Sequence, residues 1–262
     1  MTLFRQYFRQ QLVGLLIWLG VALLLVLAMT SEASSLAETG MEALTKGLPE
    51  AFKQMIGIVE GLSSFDAYMA MKAGPTVAVL LALYAVLLAL GIVTREMDRR
   101  TIDFLLAMPV ERRQVLLARS AVLAVNTAIM AAAVWATIYL DLTRQGLTTN
   151  FAAYAVLLLN CWLVALALGA LCLLSSMWLD DYSLGVKLWV GVAAGGFVLE
   201  YVLKAMGVSR WARIWSPFSF VDAPAVIHSG SMPLADVALL VAVILVGFGL
   251  SLPVFERKQI SA

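Results

Sequence analysis

Long apolar runs alternate with short polar segments along this chain, and that alternation predicts its elements. Six such runs, at about residues 12–29, 74–93, 115–140, 151–178, 184–203 and 237–252, are each read as one helical span. A hydrocarbon core of about 30 Å needs roughly 20 apolar residues of helix. Residues 1–11 set Phe4, Tyr7 and Phe8 against Arg5 and Arg9, the composition of a helix lying at a membrane interface. The run that follows exceeds the apolar core of a secretory leader, about 7–15 residues, so it reads as a span. Residues 30–72 form the longest polar segment and the expected outer loop. Leu44, Leu48, Phe52, Met55 and Val59 make a stripe through it, broken by Gly47, Pro49 and Gly57. The pattern fits short amphipathic helices or a solvated spacer equally well. Residues 206–236 are aromatic and punctuated by proline.

The segment 94–114 between the second and third spans, with Arg119 just beyond it, breaks the pattern most sharply. It carries Arg95, Arg99, Arg100, Arg112 and Arg113. At its centre Ile102, Phe104, Leu105, Leu106 and Met108 recur at helical spacing and give one apolar face. Met108 precedes Pro109, and a residue before proline is pushed out of the helical region, so the helix is expected to stop there. Pro109 then suits the first turn of a helix running into the third span. A helix this short is marginal in water. Burying each apolar side chain contributes at most roughly 1.5–3 kcal/mol, so the face needs a surface to lie on. That surface is either the lipid interface or a groove in a partner.

Composition then sets the class. Of 262 residues, 62% are hydrophobic and only 13% charged, against about 25% charged in soluble domains. The chain is therefore read as one all-α transmembrane domain, residues 1–262. A net charge of +1 gives no reason to expect nucleic acid. Cys161 and Cys172 lie about three helical turns apart, too far to bridge each other, and read as small core residues. With the N-terminus inside, eleven basic residues fall on the cytoplasmic side and seven outside. That bias puts both termini and the charged segment in the cytoplasm of a multi-pass plasma-membrane protein.

Candidate chemistry is sparse. No G-x-x-x-x-G-K-[ST] occurs, so the chain has no phosphate cradle of its own, and no cofactor or metal is expected on it. The lone His228 excludes a paired-histidine metal site. The fifth span is anomalous, because only twelve residues separate Lys187 from Glu200. That is about 18 Å of helix, short of the hydrocarbon thickness. Glu200 and Lys204 are therefore read either as a local ion pair or as part of a translocation path. Gly191 and Gly195 on the same span have the spacing that lets helices approach closely, within this chain or with a second copy. Asn126 and Asn160 read as hydrogen-bonding groups between neighbouring helices.

Glu96, then Thr101-Ile102-Asp103-Phe104-Leu105-Leu106, Pro109-Val110, Arg112-Arg113 and Val115 together resemble the segment between the second and third spans of ABC-2 type transporter permeases. The similarity extends to the aromatic-basic N-terminus, Leu48-Pro49, Ser216-Pro217-Phe218 and the basic tail. Arg100 and Glu111 depart from that pattern, where a glycine and a serine or threonine are usual. The resemblance implies an ABC exporter permease that is not itself an enzyme. Its partners are two cytoplasmic ATPase subunits, which hold ATP and magnesium, and a second copy or a homologous permease, so a dimer within the bilayer. It assigns ATPase coupling to Glu96, Ile102, Asp103, Phe104, Leu105, Leu106, Met108, Pro109, Arg112 and Arg113, and re-entrant outer helices to residues 206–236. The residues leave two other classes open: a membrane scaffold or sensor, and an intramembrane serine hydrolase using His228. Substrate identity is not written in the chain.

Overall fold

The computed structural model describes residues 2–39, 64–92, 112–147, 149–179, 181–209 and 216–257. Helix is the regular structure throughout these residues. In order they form α1 (Thr2–Thr39), α2 (Ser64–Tyr68), a π-helical turn (Met69–Ala73), α3 (Gly74–Ile92), α4 (Arg112–Gln145) and α5 (Phe151–Ser176). Then come α6 (Tyr182–Ala205), a 3-10 turn (Pro217–Phe220), α7 (Ala223–Ser229) and α8 (Leu234–Arg257). Six stretches among the described residues are long and apolar enough to cross a bilayer, in Leu3–Ser35, Phe65–Ile92, Arg113–Gln145, Phe151–Ser176, Tyr182–Lys204 and Leu234–Phe255.

The core forms around α5, which packs on α3, α8, α4 and α7. It is apolar on all sides, and every residue from Leu163 to Ala170 is buried, as expected for a helix enclosed by its neighbours. Small residues let α8 come close. A Cβ built on Gly247 would lie 2.8 Å from Cβ of Ala170 and 3.0 Å from its carbonyl carbon. By contrast α1 is two-faced. Leu15, Ala22, Val26 and Ala33 are buried, whereas Val13, Leu16, Ile17 and Leu24 are 62–70% exposed. Such a continuous apolar stripe suits lipid rather than water.

Side-chain contacts define the two ends of the bundle. Tyr7 near the start of α1, Ile92 of α3 and Arg119 near the start of α4 meet at one end. At the other, Thr30 of α1 donates to Asp141 of α4. Lys72 binds Glu32, and Asp66 accepts from Tyr154 near the start of α5. The first four spans, in α1, α3, α4 and α5, therefore run in alternating directions.

Two boundaries differ from the sequence expectation. The interfacial N-terminal helix and the first span are one unbroken helix, Thr2–Thr39, which continues through Ser31, Glu32, Ser34 and Ser35. Ser34 and Ser35 donate to the carbonyls of Ser31 and Glu32, and Glu32 pairs with Lys72, so these polar groups do not end the helix. The second span likewise starts before residue 74, because the π turn buries Met69, Ala70 and Ala73. Most of the supposed outer loop, residues 40–63, lies outside the described residues.

Candidate functional site

At the Tyr7 end the chain leaves α3 at Ile92 and enters α4 at Arg112. Arg119 holds that junction together and is only 7% exposed. Its guanidinium carbon lies 4.2 Å from the centre of the Tyr7 ring, and its Nη1 donates to the carbonyl of Ile92. A hydrogen bond from a charged donor is stronger than one between neutral groups. One side chain thereby ties α1, α3 and α4 beside the segment for which a partner groove is expected.

Glu96, Ile102, Asp103, Phe104, Leu105, Leu106, Met108 and Pro109 lie outside the described residues. Arg112 opens α4, and Arg113 is exposed in its first turn. Arg119 entered the sequence reading only as one more basic charge. The signal that could have distinguished it is its place after Leu116, Leu117 and Ala118, inside an apolar run.

The opposite end is built by several short polar links. Lys72 Nζ lies 2.6 Å from Glu32 Oε2 and 2.8 Å from the Tyr68 hydroxyl, and Tyr68 donates to the same carboxylate. The lysine and glutamate side chains are 46% and 56% exposed, so in an aqueous setting the pair contributes orientation more than stability. Asp66 accepts from Thr149 at 2.7 Å and Tyr154 at 2.8 Å. The 3-10 turn is fixed to α6 by Ser216, whose Oγ donates to the carbonyl of Gly196 at 2.9 Å. A Cβ on Gly196 would meet Pro217 at 3.1 Å, so this glycine is where backbone and turn approach. Asn160 of α5 donates to the Phe220 carbonyl at 2.8 Å, which makes it the interhelical group expected of it.

Between the π turn, the last turns of α6, the 3-10 turn and α7 lies a cavity of about 480 Å³. Met71, Lys72, Phe197, Glu200, Tyr201 and Lys204 are among its walls. Glu200 Oε2 is buried, and the Tyr201 hydroxyl donates to the Met71 carbonyl at 3.3 Å. The structure therefore brings Glu200 and Lys204 to one cavity and adds Lys72, which in the sequence closes the polar segment 30–72.

Gly191 and Gly195 are exposed on α6, with nothing within 4 Å of a Cβ built on either. The close helix approach read from their spacing is not made among the described residues. Cys161 and Cys172 are free, buried thiols beside the carbonyls of Gly74 and Val86. Among the described residues no hydrogen bond joins His228 to a serine, and Ser229 and Ser231 bond to each other. No cluster of three or more potential metal ligands occurs among them either.

With this geometry in place, comparison with known proteins adds one family. A family model described as ABC-2 family transporter protein matches residues 1–260. No curated protein and no solved structure matches the chain.

Proposed function

This chain belongs to the ABC-2 transporter family, and on that basis we propose that it works as half of an exporter driven by separate ATP-hydrolysing subunits. As a member it is the membrane-spanning permease component of an ABC transporter. The match across residues 1–260 carries that reading. In the arrangement we propose, both termini face the cytoplasm of the plasma membrane, as the excess of basic residues at that end favours. Two ATPase subunits bind there and hold ATP and magnesium. A second copy of the chain, or a homologue, completes the pore.

Residues 96–109 dock into the ATPases and move with them as they close. Pro109 passes the motion to α4, and Arg119 spreads it, because its contacts with Tyr7 and the Ile92 carbonyl couple the base of α4 to α1 and α3. The exposed face of α6 bearing Gly191 and Gly195 packs against the second copy, where small residues permit close approach. Residues 217–229 fold back into the membrane as re-entrant helices that cap the path. Buried Phe218, Val226 and Ile227 support that placement.

The experiment is to co-purify the chain with its ATPase and measure ATP turnover for Phe104→Asp and Leu105→Asp. Placing a carboxylate in an apolar seat should abolish co-purification or substrate-stimulated turnover. Unchanged assembly and turnover in both variants would remove the coupling role.

A further inference from the structure

The cavity at the Lys72 end, about 480 Å³, falls in the size range of small-molecule sites, roughly 300–1,000 Å³. Such sites are mostly apolar with a few placed polar groups, and this one follows that plan. Met71, Phe218, Val221 and Pro224 supply apolar wall, while the charged groups are Lys72, Glu200 and Lys204. Phe197 stands edge-on to Tyr201 at 5.0 Å and to Phe218 at 5.8 Å, so three rings form one aromatic surface beside Glu200.

The charges are arranged with opposite signs one turn apart. Glu200 and Lys204 are neighbours on one helix face, where side chains four residues apart lie about 5–6 Å from each other at Cβ. Lys72 is engaged by Glu32 of α1 and by Tyr68 of α2. The wall opposite α6 is also unusual. Ala70, Met71 and Lys72 belong to the π turn, and such turns recur at functional sites because they displace a residue from regular helical register.

We infer that this cavity binds a zwitterionic amphiphile: a molecule with an apolar tail and a head joining an ammonium to a phosphate or carboxylate. The ammonium sits against Glu200 and the rings of Phe197 and Tyr201, whose faces attract cations. The anionic group pairs with Lys204, and the tail covers Met71, Val221 and Pro224. This is a property of the chain alone, so it stands or falls separately from ATP coupling.

The test uses the purified full chain in nanodiscs of phosphatidylglycerol, titrated with fluorescent lysophosphatidylcholine. An uncharged monoacylglycerol and an alkyl phosphate with the same tail and label are titrated in parallel. Binding of the zwitterion should saturate and be at least about tenfold tighter than either control, since a hydrogen-bonded charge contributes at least that much. Glu200→Gln and Lys204→Met should each weaken it about tenfold. Met71→Trp should block it by filling the space, and it carries the test should a charge variant not fold. Zwitterionic phospholipid retained by the parent chain through purification and lost in Met71→Trp identifies the bilayer as the source. Saturable binding of added probe without retained lipid identifies a free amphiphile. Equal affinity for all three probes, or parent-like affinity in folded Glu200→Gln and Lys204→Met, would overturn the proposal.

Discussion

The guanidinium of Arg119 stacks over the ring of Tyr7, 4.2 Å from its centre, so a charge within one span is held by the aromatic face of another. The same arginine donates to the Ile92 carbonyl of α3. A buried cation needs such partners, because leaving it uncompensated in an apolar setting is costly.

The first prediction separates ring from hydroxyl. Tyr7→Phe keeps the aromatic face and should leave thermal stability in detergent nearly unchanged. Tyr7→Leu should cost about 1–2 kcal/mol, the worth of a partly desolvated cation–π contact. Arg119→Met also strips the Ile92 carbonyl of its donor and should cost about 2–3 kcal/mol. Equal melting curves for Tyr7→Phe and Tyr7→Leu would mean the ring contact contributes nothing.

A second prediction concerns helix contact. Gly247→Ala places a methyl 2.8 Å from Cβ of Ala170 and 3.0 Å from its backbone. The two helices must separate, at a cost of about 1–3 kcal/mol. Gly249→Ala meets nothing within 4 Å. It should be neutral or stabilise by up to about 1 kcal/mol, through the better helix propensity of alanine. The pair differs only in position, so opposite shifts in melting temperature isolate the packing effect.

Gly191 and Gly195 test the partner copy. Among the described residues, nothing lies within 4 Å of a Cβ built on either. Gly195→Leu should therefore leave the melting temperature of the isolated chain unaltered while lowering the dimer fraction measured by mass photometry. A parallel drop in monomer stability would point to a contact within the chain instead.

The thiols give a simple check of the core. Cys161 and Cys172 are fully buried at 0% exposure. A maleimide should label neither in the folded protein and both after denaturation. Rapid labelling of the native chain would show that α5 is accessible.

The six candidate spans were readable because an apolar run long enough to cross a bilayer is a local property of the chain. Glu200 and Lys204 stood out for a related reason, as charges crowding a short span. The length of the first helix was not readable, because Glu32 looks like the start of a loop until Lys72, forty residues on, is brought beside it. Glycine spacing was equally ambiguous. Gly191 and Gly195 have the close-approach pattern and face open space, whereas Gly196 and Gly247 make the tight contacts.

What the sequence determined by itself is the class of solvent each segment meets: an all-helical membrane protein with six candidate crossings, a charged segment between the second and third, and a resemblance to its family. Tertiary structure alone decided that Arg119 faces Tyr7 and Ile92, that Lys72 joins Glu200 and Lys204 around one cavity, and that Gly247 rather than Gly191 touches a neighbour. The reason is physical. Transfer of a side chain between water and lipid depends on its own chemistry and that of its near neighbours, while a pairwise contact depends on how two distant helices are rotated about their axes, which no local pattern encodes.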